Sequence, residues 1–151
     1  MTQIVSGMVG GKQLSGRFEV EIRSGRMAIA AFTHAGIPLF NIIVMDDGVK
    51  TNLYAQQAGG LLPEWMVSDI MIAYWPVDSV GSYLATQGMK LIVDARSRQV
   101  IDSKGKQIVL ITYAKDDQTL NMNIGASMSL ANHQQNYELA VQTVALSKAE
   151  E

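Results

Sequence analysis

Asp69 is the residue in this chain best suited by its surroundings to do chemistry. It stands between Met66 and Tyr74 in the strongly apolar run Leu62–Trp75. A carboxyl buried there would keep its proton to higher pH and could act as a general acid. The plainer alternative puts Asp69 at a helix edge, facing water or bonded to a strand hydroxyl. That alternative carries more weight, because structural networks also perturb carboxylates and no base stands at a matching spacing. Glu64, further upstream, is explained by a favourable interaction with a helix N-terminus.

The remaining candidates lack the spacing their chemistry needs. His34 and His133 are the two histidines, and neither has an acidic or histidine neighbour at i+3 or i+4, so both read as solvated turn residues rather than metal ligands. Asp46-Asp47-Gly48 lacks the alternating oxygens and distal Glu of a calcium loop and carries a hairpin-turn signal instead. Met8-Val9-Gly10-Gly11-Lys12 does not have the spacing of a phosphate loop and reads as a flexible connector. No Gly-x-Ser-x-Gly elbow or His-Glu-x-x-His pair is present. The chain has no cysteine, which removes thiolate nucleophiles and thiolate metal sites. The expectation is a protein that is not an enzyme, with no catalytic residues, no metal and no cofactor.

What the sequence does carry is apolar surface. Hydrophobic residues make up 48% and charged residues 17%, against ~25% charged in an average globular protein. A net charge of −2 and a pI of about 5.6 give no basic footprint, so nucleic acid is not an expected partner. Nine methionines stand out, since this flexible, polarizable side chain suits surfaces that adapt to varied apolar shapes. Ordinary core filling is the competing explanation.

The elements that must position this surface are mostly strands. The length fits one domain, 1–151. In Leu14–Arg23, Phe18, Val20 and Ile22 alternate with Arg17, Glu19, Glu21 and Arg23, the period of a strand with one wet face. Met27–Met45 has the length of a membrane span, but Thr33–Pro38 in its middle is turn chemistry, so two strands joined by a turn are expected. Those two strands, Met27–Thr33 and Leu39–Met45, are apolar on both faces. A shorter strand follows through Thr51, Leu53 and Ala55. After Gly59-Gly60 the period changes to helical, over Leu62–Trp75, with Pro63 in the first turn. Pro76 interrupts, and Asp78 is expected to cap a second helix, Ser79–Gln87. Strands resume at Lys90–Asp94, Gln99–Asp102 and Gln107–Ala114. Thr119–Leu130 alternates most strictly, Ala131–Gln135 reads as a loop, and Asn136–Leu146 is the last strand. The pattern predicts a mainly β fold with a helical insertion, its large antiparallel sheet curling around the helices.

Several strings, taken in order, resemble a family of uncharacterised Gram-negative lipoproteins. They are Phe18–Arg23, Ile29–Thr33, Gly36–Phe40, Leu62-Pro63-Glu64-Trp65, Ala73-Tyr74-Trp75-Pro76 and Asn136–Leu139. The resemblance covers Gly16 to Leu146, and the family is associated with loci for aryl polyenes and related fatty-acyl products. It implies a fold similar to the lipoprotein carrier LolA and receptor LolB, an incomplete antiparallel barrel closed by helices over a hydrophobic cavity. Leu62–Gln87 would be the helical lid. The long first helix of the Lol proteins is missing, unless Met1–Lys12 is its remnant. The resemblance also implies export and a lipid-modified N-terminal cysteine. Met1–Val5 has no basic and apolar leader, so the chain is expected to be periplasmic and outer-membrane-anchored if a signal was removed, and cytoplasmic if none was.

The leading expectation is therefore a non-enzymatic module that binds an acyl chain or a lipoprotein's lipid in an apolar cavity. The candidate cavity residues are Phe18, Val20, Ile22, Met66, Ile70, Met71, Tyr74, Met122, Ile124 and Leu139, from in-facing strand positions and the covering helix. Ile37 and Leu39 form a candidate partner loop, by similarity to the projecting loop of the Lol receptor. Lipid or acylated protein is the expected partner. A second expectation is a scaffold that uses the apolar hairpin 27–45 as its interface, for instance in a homodimer. A third is a hotdog-like enzyme on acyl substrates, disfavoured because a hotdog chain has its long helix near the start.

Overall fold

A computed structural model describes residues 1–54, 63–114 and 125–145. Five strands precede the helices: β1 (Thr2–Val9), β2 (Lys12–Arg23), β3 (Arg26–Phe32), β4 (Pro38–Met45) and β5 (Gly48–Leu53). Then come α1 (Pro63–Tyr74) and α2 (Val77–Thr86). Five more strands follow: β6 (Lys90–Val93), β7 (Ser97–Ile101), β8 (Gln107–Tyr113), β9 (Ser127–Asn132) and β10 (Tyr137–Ala145). They form one antiparallel sheet in the order β5-β4-β3-β2-β1-β10-β9-β8-β7-β6. The fold is mainly β as expected, and the sheet is open, with β5 and β6 as its edges. Two five-strand meanders thus run outward from the central β1–β10 pair.

That central pair corrects the reading of the first twelve residues. They are neither a connector nor the remnant of a helix. Thr2–Val9 pairs along its whole length with both β2 and β10. Gly10 and Gly11 both have positive φ, 55° and 83°, which two-residue hairpin turns require and side chains resist. Gly7 is equally constrained, because a Cβ there would lie 1.9 Å from the Glu138 carbonyl oxygen on β10.

The helical insertion bends the sheet. α1 packs against β4 and hydrogen-bonds to side chains of β7 and β8. In a flat sheet β4 and β7 would lie roughly 34 Å apart, at ~4.8 Å per strand, far beyond the ~10–12 Å width of a helix. The sheet therefore curls around α1, and α1 occupies its inner face. Most of α1 is accordingly buried, with Glu64 and Ser68 left exposed.

Several boundaries differ from those expected. α2 begins two residues earlier, with Pro76 as the N-cap and no side-chain cap, so Asp78 lies within the first turn instead of capping it. β9 begins at Ser127, with Gly125 in a turn at φ 81°. Ala131 and Asn132 continue β9 and do not belong to the following loop. The expected positions Ala55, Gly59-Gly60, Leu62 and Thr119–Ile124 lie outside the described residues.

The hairpin 27–45 also differs from its doubly apolar appearance. Met27, Ile29, Ala31, Phe40 and Ile42 are buried on the inner face. On the outer face the register sets Glu21 beside Ala28, Ala28 beside Ile43, and Ile43 beside Lys50. Small alanines and flanking long charged side chains leave Ala28 and Ile43 half-buried. A salt bridge joins Arg26 to Glu21 on the same surface. The outer face of this hairpin is therefore a narrow apolar strip between charges.

Candidate functional site

The inner face is not uniform in the way it holds α1. At the helix C-terminus the last carbonyls have no intrahelical donor, and α1 has no basic residue in its last turn. The sheet supplies what the helix lacks. Arg98 on β7 donates through one guanidinium nitrogen to the Ile72 carbonyl at 2.8 Å and the Trp75 carbonyl at 2.7 Å. The Tyr113 hydroxyl on β8 donates to the Ala73 carbonyl. A cation at this end also meets the negative pole of the helix dipole. Burial pushes the Tyr113 phenol up to about 12, partly opposed by the Arg98 charge and reinforced by Tyr74, so it stays a neutral donor. Gln3 on β1, itself buried, donates to the Tyr74 hydroxyl at 2.7 Å and to the Thr143 hydroxyl at 3.3 Å.

The middle of α1 is held differently. Asp69 is buried, 2% exposed, and does not stand at a wet helix edge. Its partner is a strand amide: Asn132 Nδ2 on β9 approaches the two carboxyl oxygens at 3.3 and 3.5 Å. The same nitrogen lies 3.3 Å from the Tyr137 hydroxyl on β10. The amide is oriented from behind, where its oxygen accepts the Gln135 backbone N–H at 2.9 Å. Burial raises the Asp69 pKa to about 7, with the Asn132 bond pulling the other way. One long, shared donor is weak compensation for a desolvated charge.

The side chains expected to line a cavity come together, with differences. Phe18, Val20, Met66, Ile70 and Leu139 are buried in one cluster, and Met71 and Tyr74 pack against it. Phe18 meets Phe40 edge-on at 5.9 Å between ring centres. Ile22 shares their face of β2 but is 39% exposed, because the strand runs on past the helical cover. Met122 and Ile124 lie outside the described residues. The expected partner loop divides: Ile37 is 59% exposed at the β3–β4 turn, whereas Leu39 is buried.

Sequence reading missed the inner face of β5. Pairing sets Leu53 beside Phe40, Thr51 beside Ile42 and Val49 beside Val44, so all three face inward. Val49 is nonetheless 55% exposed and Leu53 60%. The apolar inner surface therefore continues from the buried core out to an uncovered edge. Alternation through Val49, Thr51 and Leu53 carried part of that signal. Arg98 also had one, since it shares its strand parity with the buried Val100.

Other features are less suited to a ligand. His34 and His133 are exposed, and His34 pairs with the Ser15 hydroxyl. An open groove of about 580 Å³ on the outer face of the β1, β10, β9 and β8 strands is lined largely by small residues such as Ser6, Ala140 and Ser129. No helix among the described residues is long and apolar enough to cross a membrane. A family model described as a protein of unknown function, DUF3261, matches residues 1–145. No curated protein matches the chain.

Proposed function

The chain belongs to the DUF3261 family of proteins of unknown function, and from that premise we propose that it binds an acyl chain, or the lipid of a lipoprotein, without transforming it. The ligand would lie along the inner face of β2–β5 beside α1. The observation that carries this reading is the uncovered inward-facing edge, where exposed Val49 and Leu53 continue the surface of buried Phe40 and Ile42 and partly buried Val44. Apolar surface left in water costs about 25 cal/mol per Å², and a hydrocarbon chain laid on this strip would remove that cost. Among the described residues the inner positions of β2–β5 carry one charge, Lys12 at the β1–β2 hairpin end, and otherwise only the Thr51 hydroxyl at the edge, so the surface beside α1 suits a ligand with few polar groups.

In this reading the protein works in the periplasm at the outer membrane, in lipid or lipoprotein transfer or in outer-membrane assembly. The resemblance to lipoproteins and to the LolA and LolB carriers supports that setting. Exposed Ile37 at the β3–β4 turn would meet the acylated partner or the membrane surface.

Delipidated protein titrated with a fluorescent fatty acid and with a diacylated lipopeptide should show saturable uptake of one of them. Native mass spectrometry of protein from its own host should show an acyl species retained. Absence of both would end this reading.

A further inference from the structure

α1 is clasped at one end by strong donors and held at its middle by a weak one. Arg98, Tyr113 and Gln3 fix Ile72 to Trp75 through bonds of 2.5 to 2.8 Å. Asp69, one turn earlier, has a single amide at 3.3 and 3.5 Å, and that amide is shared with Tyr137. Charged or titratable groups around Asp69 do not relieve it. From β9 and β10 it meets Asn132 and Tyr137, while His133 and Glu138 beside them are exposed. From β7 and β8, Arg98 and Tyr113 are committed to the helix C-terminal carbonyls. On α1 itself Glu64 is exposed and Tyr74 is bonded to Gln3.

We propose that Asp69 makes the seating of α1 proton-dependent: with a neutral carboxyl the helix lies closed on the sheet, and on ionisation its N-terminal turns lift about the Arg98–Tyr113 clasp. The proton leaves to solvent, and the carboxylate gains water that the closed state denies it. The sign follows from linkage. Burial raises the Asp69 pKa to about 7 in the closed state, so closing is unopposed below the ordinary carboxyl range. It weakens as pH rises through that range to neutrality. Release of a bound acyl chain by this motion rests on the reading of the inner face given above; the motion itself does not.

Amide hydrogen exchange on the ligand-free protein at pH 5.5 and 8.5, corrected for intrinsic rates, tests it. Protection of the Val67–Met71 amides should fall roughly tenfold or more between the two, while the amides of β1 keep theirs. Asp69→Asn should remove the fall. An equal fall in the variant, or an equal fall in β1, overturns the proposal. If the variant does not fold, carboxyl-carbon NMR of Asp69 in the unaltered protein decides: a midpoint near neutrality supports the switch and an ordinary acidic midpoint overturns it. Fatty-acid uptake measured at both pH values separates the two readings. No uptake at either, with exchange that still depends on pH, removes the ligand and leaves the switch.

Discussion

The two meanders share one topology but contribute opposite things to the helix between them. Strands β2–β4 face α1 with Phe18, Val20, Met27, Ile29, Phe40 and Ile42, all apolar. Strands β7–β10 face it with Arg98, Tyr113, Asn132, Tyr137 and Thr143 among their apolar neighbours. One half therefore specifies where α1 lies, through directional bonds to named carbonyls, and the other fills the space beneath it. A surface that fills without directional bonds can exchange its occupant, while a surface that clasps cannot do so cheaply. The contrast puts the polar anchor of α1 and its apolar packing surface on opposite sides of the β1–β10 seam.

The contrast can be broken from either side. Arg98→Met should cost about 3–5 kcal/mol in urea denaturation, because a buried and a partly buried carbonyl lose a charged donor together. A cost under 1 kcal/mol would mean the clasp is not needed. Phe18→Ala on the apolar side should cost about 3–4 kcal/mol. A markedly smaller value would show that this half is loosely filled, which sharpens the case for an exchangeable occupant. Stability should also fall as pH rises from about 4 to about 7. The loss from ionising Asp69 is about 4 kcal/mol at most, and Asp69→Asn should flatten that part of the profile. Leu53→Lys should change stability by less than about 0.5 kcal/mol, since the position is already exposed. It should nevertheless weaken acyl uptake, and unaltered uptake would move the ligand away from the β5 edge.

The elements that were legible in the sequence were those with a clean period. β2 showed its alternation, α1 its helical run after Pro63, and the Asp46-Asp47-Gly48 turn its residue chemistry. β1 was not legible: Met1–Lys12 contains Gln3, Ser6 and two adjacent glycines, and as a central strand its inner face carries Gln3 and Gly7 among valines. Such a strand owes its place to partners on both sides rather than to its own alternation. The site was half legible. Phe18, Val20, Met66, Ile70 and Leu139 could be grouped by parity. Neither Ile22's escape from cover nor the exposure of Leu53 could be read, because both depend on how far α1 reaches.

The sequence by itself determined most of the element types and the apolar identity of much of the inner face. These are local properties, set by side-chain period and residue chemistry. Only the tertiary structure decided that Asp69 is buried against Asn132, that Arg98 closes the end of a helix 23 residues upstream, and that the sheet stays open at β5. Those outcomes depend on which strands become neighbours and how sharply the sheet curls. That is fixed by the pairing of β1 with β10 across the whole length of the chain, and no local pattern encodes it.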